Sequence, residues 1–315
     1  MSKIIYEIMH RENCVAQIST VGECKIYLED FMPYDLMLEE SNDFDKRIKN
    51  AMSFYSWCAS RIIPPDRTYA KEILNSIGAS QGVTDRERAQ IALSYHCLSL
   101  LDVFWVKEEN EKVRFEDINL FTHSLSNALV DIALRGHQMT VTNAHLLAND
   151  LSTGGLYPKA WVRKEDGFYL YKDGGRDAVE REVLASKICR CFDCHQVLYE
   201  QGMFENEPVS ISKIMTSQRY SLVTYAAYDV YCTNHDWNTL DKILELDAPG
   251  YYMMNILDYL VGNTDRHWEN WGLLVDNETN QPIRLHDLMD FNRAFQQYDT
   301  PEGANCLTVG KRHLS

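Results

Sequence analysis

The sequence predicts an α+β protein, with a mostly helical region over residues 1–148 that opens on short strands and a two-lobed fold over residues 149–315. Three observations predict it. Apolar and polar residues alternate at the start of the chain. Three-to-four spacing takes over from Ser41. Near Asn149 the texture turns to a glycine-bearing loop, a strand pair, a helix, more strands and then helices. That last order is the order of a bilobal nucleotide-binding fold, with lobes expected at about 149–222 and 223–315.

Ile4-Ile5-Tyr6-Glu7-Ile8 and Cys24-Lys25-Ile26-Tyr27-Leu28 read as strands separated at Val21-Gly22-Glu23. Phe44, Ile48, Met52, Tyr55 and Trp57-Cys58 lie at helical spacing until Pro64-Pro65 stops the run. Thr84 followed by Glu87 is a capping box opening a helix over Arg88 to Leu101, and Asp117 to Arg135 reads as another helix closed by Gly136. Residues 41–148 thus read as helical. Lys159 to Arg163, the turn Glu165-Asp166-Gly167, and Phe168 to Lys172 read as a hairpin. Asp177 is placed to cap a helix running through Glu182 to about Phe192. Val209–Met215 and Ser221–Tyr228 read as extended, and the stretch to Gly262 as mainly helical.

With 45% hydrophobic and 24% charged residues in 315, the chain is globular in composition. Lys and Arg number 31 against 46 Asp and Glu, and the net charge of −15 is evenly spread, with 15 basic against 22 acidic residues in 1–150 and 16 against 24 in 151–315. Nucleic-acid binders take most of their affinity from cations that neutralise phosphates, so neither nucleic acid nor an anionic membrane is expected as the principal partner. A helix-turn-helix hidden in the helical region is disfavoured for the same reason. No run of 18 apolar residues occurs, and the N-terminus lacks the build of a signal peptide. A soluble, unprocessed protein is expected. Its nine cysteines, odd in number and irregularly spaced, suggest free thiols in a reducing compartment, with the cytoplasm as the default.

The segment Gly262-Asn263-Thr264-Asp265-Arg266-His267-Trp268-Glu269-Asn270, followed by Leu285-His286-Asp287-Leu288-Met289-Asp290-Phe291-Asn292, carries the chemistry. Phosphoryl transfer needs a carboxylate to orient the attacking hydroxyl and accept its proton, oxygen ligands for magnesium, and a cation on the phosphates. Asp265 suits the first role. Asn270 can turn its amide oxygen to a metal, and a hairpin from Trp271 to Leu285 returns Asp290 beside it as the second ligand, with Asp287 as the alternative. Lys172 ends an apolar strand and Glu182 lies ten residues later on the next helix, where it can pair with the lysine. The loop 152–159 offers the glycine amides of Gly154 and Gly155, with Lys159, to phosphates.

Asp265-Arg266-His267 with Asn270, then Asp290-Phe291-Asn292, resembles the catalytic and metal-binding loops of HipA-like serine/threonine kinases, which share D-R-H-x-x-N with phosphatidylinositol 3- and 4-kinases. Ser152-Thr153-Gly154-Gly155 with Lys159 resembles the phosphate loop of that family, in which the serine is an autophosphorylation site in some members. Glu182-Val-Leu-Ala-Ser186 resembles the helix bearing the lysine's partner. The resemblance implies a bilobal protein-kinase-like fold, ATP, magnesium and a protein serine or threonine substrate. For some members it also implies a toxin role with an antitoxin-like protein partner. His267 is expected to hold the catalytic loop by hydrogen bonds. Asn292 stands where many kinases have glycine. Only 25 residues follow Asp290, where larger members continue with a helical stretch, so a compact or a truncated member is expected.

Lipid kinase activity is the nearest alternative, weakened by the missing basic patch. A catalytically inactive pseudokinase or interaction module is the alternative from another class. It would not need Lys172, Asp265, Asn270 and Asp290 together. Cys191-Phe-Asp-Cys194-His195 has the C-x-x-C-H form of haem attachment, but with no export signal and no second C-x-x-C pair its cysteines read as packing residues.

Overall fold

The computed structural model describes residues 3–62, 84–123, 159–204 and 206–296. The chain divides into two compact units, one of Met1–Trp161 with Thr216–Ser221 and Asn277–Asn280, the other of Val162–Met215, Leu222–Asp276 and Gln281–Ser315. The mixture of helices with antiparallel sheets is that of the expected α+β class. The expected division at 148/149 and the helix from Asp117 to Arg135, beyond residue 123, lie outside the described residues.

The described elements of the first unit begin with β1 (Ile5–His10), β2 (Asn13–Ser19) and β3 (Cys24–Ile26). Two helices follow, α1 (Phe44–Ser60) and α2 (Asp85–Ser94), then β4 (Phe104–Glu108) and the short α3 (Phe115–Ile118). The sheet order is β3-β2-β1-β4, with Ile8 opposite Ala16 on one side and Val106 on the other. Phe104–Glu108 corrects the reading of residues 41–148 as helical. Its Phe-Trp-Val run is buried throughout, so it carries no alternation to mark it as a strand.

Helix α1 forms where its spacing predicts, yet Phe44 and Met52 are exposed, and Phe54, Trp57, Cys58 and Ala59 are the buried set. Asn50 decides the rotation. Its side chain accepts from Glu39 N (2.9 Å) and donates to Glu39 O (2.8 Å) and Gly22 O (3.1 Å), fixing that face inward. The Thr84 capping box is present at α2, but the helix stops at Ser94 instead of Leu101, because His96 and Cys97 take left-handed conformations (φ 60° and 54°).

Further along the chain, β5 (Lys159–Lys164) and β6 (Gly167–Lys172) form the expected hairpin, and α4 (Arg176–Cys189) follows. Gly175, at φ 80°, occupies its N-cap, and Asp177 lies in the first turn, so Asp177 favours the helix through the macrodipole and not as the cap. The helix ends three residues before Phe192. Next come β7 (Tyr199–Phe204), β8 (Glu207–Lys213) and β9 (Tyr220–Thr224), with sheet order β5-β6-β8-β7 for the first four strands. Strand β7 escaped the sequence reading because it is an exposed edge strand with only Tyr199 buried, so its residues follow no apolar alternation.

Residues 225–228, expected to be extended, are the first turn of α5 (Tyr225–Asn234), since Thr224 Oγ1 accepts from Ala227 N at 3.2 Å. Helix α6 (Thr239–Val261) kinks at Asp247, two residues before Pro249, and ends on Gly262 in the left-handed conformation (φ 60°). Strands β10 (Gly272–Asp276) and β11 (Gln281–Leu285) complete a sheet of order β11-β10-β9. Among the described residues no helix is long and apolar enough to cross a membrane, and the eight described cysteines are free thiols.

His10 in β1 is 1% exposed between the rings of Phe31 and Phe104, and neither ring nitrogen has a hydrogen-bond partner. Burial, with Arg11 nearby and Asp102 opposing, lowers its pKa from 6.5 to about 4. Above pH 6.5 the ring is neutral whether the chain is folded or not. Below it the unfolded chain takes the proton first, so stability falls as pH drops towards 4. In urea denaturation between pH 7 and pH 5, the protein is expected to lose about 2 kcal/mol more than His10→Phe. Parallel stability curves would contradict this.

Candidate active site

Lys172, the last residue of β6, lies opposite Ser210 of β8, and the following turn sends the chain into α4, which carries Glu182. These elements put Lys172 Nζ 3.0 Å from Glu182 Oε1. Ser210 Oγ donates to the other carboxylate oxygen at 2.5 Å. Lys172 Nζ also bonds Asp290 Oδ1, so two carboxylates 108 positions apart in the chain share one ammonium. The lysine is 6% exposed and the glutamate 1%. Burial alone would lower the lysine's pKa; Glu182 and then Asp290 outweigh it and raise the value, which keeps the ammonium charged.

The loop after α6 is built around Arg266. Its guanidinium donates twice to Asp258 of α6 (2.9 and 3.0 Å), to Asn270 O (2.9 Å) and to Met289 O (2.6 Å). One largely buried side chain thereby ties α6, the 265–270 loop and the 287–290 loop together. Burial would lower its pKa and Asp258 raises it. Asn263 Nδ2 donates to Asp258 Oδ1 (2.9 Å), and Phe295 N to Val261 O (2.7 Å), so both loops are fastened to the end of the same helix. Arg266→Lys keeps the charge but cannot span these partners. It is expected to cost the protein about 2–4 kcal/mol in urea denaturation; a change within 0.5 kcal/mol, the ordinary range for surface substitutions, would contradict this assignment.

Within the loop, Asn270 Nδ2 donates to Asp265 O at 2.6 Å. A carbonyl only accepts, so the amide nitrogen must face it, which leaves Oδ1 buried with no partner. An orphaned, buried amide oxygen is a hard donor of the kind magnesium takes, and Asp290 supplies a carboxylate, so these two residues fit the ion. Asp265 is half-buried, with Arg293 Nε 3.4 Å from its Oδ2. His267 is exposed; its Nδ1 accepts from Glu269 N (3.2 Å) and its backbone N–H donates to Asp265 O (2.9 Å). Asp287 pairs with Arg284 at 2.8 Å.

The structure thus brings together Lys172, Glu182 and Asp290, and links Asp265 to Asn270. Lys159 opens β5. Ser152, Thr153, Gly154 and Gly155 lie outside the described residues. In the cysteine segment Cys191 Sγ lies 3.9 Å from Lys187 O and Cys194 Sγ 3.5 Å from Cys189 O, both contacts to backbone carbonyls, and among the described residues no three His, Cys, Asp or Glu side chains gather as a metal site. Sequence reasoning missed Ser210, Asp258, the tethering role of Arg266, and Tyr199, whose hydroxyl accepts the Asp290 N–H at 3.2 Å. The one available signal was Asp258, eight residues before Arg266 across the Gly262 cap.

No family model matches the sequence. No curated protein matches it either. Among solved structures, the chain is similar to the Helicobacter pylori proinflammatory kinase CtkA, at 19% identity and a TM-score of 0.37, over 44% of this chain and 55% of that one. It is also similar to a chain of the Shewanella oneidensis MR-1 toxin–antitoxin complex of HipA, HipB and operator DNA, at 12% identity and a TM-score of 0.49, over 93% of this chain and 77% of that one. The chain therefore spans about half the length of the CtkA structure. Likenesses at this level assign no activity.

Proposed function

We propose that the chain is an ATP- and magnesium-dependent serine/threonine protein kinase of the HipA-like kind. The observation that carries this reading is the buried Lys172 ammonium held between Glu182 and Asp290. A cation so fixed is ready to meet the α- and β-phosphates without first ordering a flexible side chain. In this reading Asp265 orients a serine or threonine hydroxyl and takes its proton, from a loop that Asn270 and His267 brace. Magnesium, held by Asn270 and Asp290, would neutralise charge on the β- and γ-phosphates. Arg266 keeps the two loops in register, so that proton acceptor and metal ligands stay aligned, which is most of what phosphoryl transfer asks of a protein. A toxin role, an antitoxin-like protein partner and autophosphorylation at Ser152 belong to the same proposal.

The test is transfer of label from ATP in magnesium, the protein beside Asp265→Ala. Label is expected on serine or threonine of the protein or an added protein substrate, and at least about 100-fold less with the variant. Equal label in both proteins, or none in either, would overturn the reading; label on phosphoinositide without label on protein would favour the lipid-kinase alternative. Phosphate on Ser152 would put a negative charge in a loop read as cradling phosphates. Ser152→Ala is therefore expected to lose one labelled site, by mass spectrometry, and to turn over substrate faster. Identical labelling and no gain in rate would count against that site.

A further inference from the structure

Tyr199 carries no part of the reading above, yet it occupies a node between the two ends of the site. We propose that it is a positioning residue for Asp290, an inference that rests on the phosphotransfer reading. Asp290 sits at φ 61°, in the left-handed region, which is uncommon for a residue other than glycine though more accessible to aspartate than to most. Its backbone N–H donates to Tyr199 Oη at 3.2 Å. A phenol that is 5% exposed needs such a partner.

The tyrosine is itself fixed from α4. Its own N–H donates to Ser186 Oγ at 3.2 Å, and Ser186 stands four residues after Glu182, on the same face of the helix. Ser186 Oγ in turn reaches Val197 O at 3.3 Å. The residues leading to Tyr199 pair with those leading to Asp290, by Leu288 N to His195 O and Val197 N to Leu288 O, each at 3.0 Å. Around the ring, Val183 and Val197 form a small apolar cluster with Met215 and Met289 against it. The helix that supplies the lysine's partner is therefore coupled, through Ser186 and the Tyr199 hydroxyl, to the backbone of the proposed metal ligand.

A tyrosine placed only to fill this cluster would be replaced by phenylalanine without consequence for Asp290. A positioning tyrosine would not. The test is calorimetric titration with ATP, first without metal and then over a range of magnesium concentrations, for the full chain and Tyr199→Phe. Without magnesium the two are expected to bind ATP within about 2-fold of each other, because Lys172 and Glu182 are untouched. The magnesium concentration that gives half of the metal-linked gain in affinity is expected to rise about 10-fold in the variant, the scale of one lost hydrogen bond to a buried donor.

Val197→Ala, which loosens the same cluster and keeps the hydroxyl, is expected to lower the melting temperature and leave that concentration unchanged. Should Tyr199→Phe not fold, 3-fluorotyrosine at this position, a weaker acceptor of the same shape, is expected to shift the concentration in the same direction by a smaller factor. An unshifted magnesium dependence in the folded Tyr199→Phe or the fluorotyrosine protein, or an equal shift in Val197→Ala, would overturn the role of Tyr199 alone. Absence of any magnesium-linked ATP binding in the unaltered protein would overturn the phosphotransfer reading, and this inference with it.

Discussion

An ammonium group taken out of water must find opposite charge or lose its proton, and the arrangement around Lys172 follows from that requirement. The lysine ends β6 next to α4, where desolvation alone would lower its pKa. Glu182 answers from the helix and Asp290 from a loop more than a hundred residues further on. Removing either carboxylate would leave the other elements to accommodate a poorly compensated charge. The pair therefore constrains the register of β6 against β8, the rotation of α4, and the path of the chain after β11.

Arg266 sets the same constraint on the other side of the site. Its guanidinium meets the carboxylate of Asp258 and two backbone carbonyls, one in the loop of Asp265 and Asn270 and one in the loop of Asp290. The kink at Asp247 has a share in this: Asp247 Oδ1 accepts from Gly250 N and its Oδ2 from Leu285 N, both at 3.0 Å, so the helix that bears Asp258 is fastened to the strand that leads to Asp290. Two cations, the buried Lys172 and the largely buried Arg266, thus hold the two loops to which the proposed chemistry belongs.

Much of this was legible in the sequence where the signal was local. The Thr84 capping box, the hairpin from Lys159 to Lys172 and the Gly262 helix end follow from short-range chemistry. So does the spacing of Lys172 and Glu182, since a strand end and the next helix leave few alternatives. What was not legible depended on partners far along the chain. Phe104–Glu108 is a strand because it pairs with β1, and buried on both faces it shows no alternation. Phe44, Ile48 and Met52 have helical spacing but face outward, since Asn50 finds its partners at Gly22 and Glu39. Tyr199 carries no local pattern that marks it; only the fold brings the Asp290 N–H to its hydroxyl.

The central claim is that Lys172, Glu182, Asn270 and Asp290 form one nucleotide and metal site. A crystal structure with a non-hydrolysable ATP analogue and magnesium tests it most directly. The expected result is Lys172 Nζ on an α- or β-phosphate oxygen with Glu182 still beside it, and the ion on Asn270 Oδ1 and Asp290. An ion on Asp287, or a nucleotide bound away from Lys172, would contradict it.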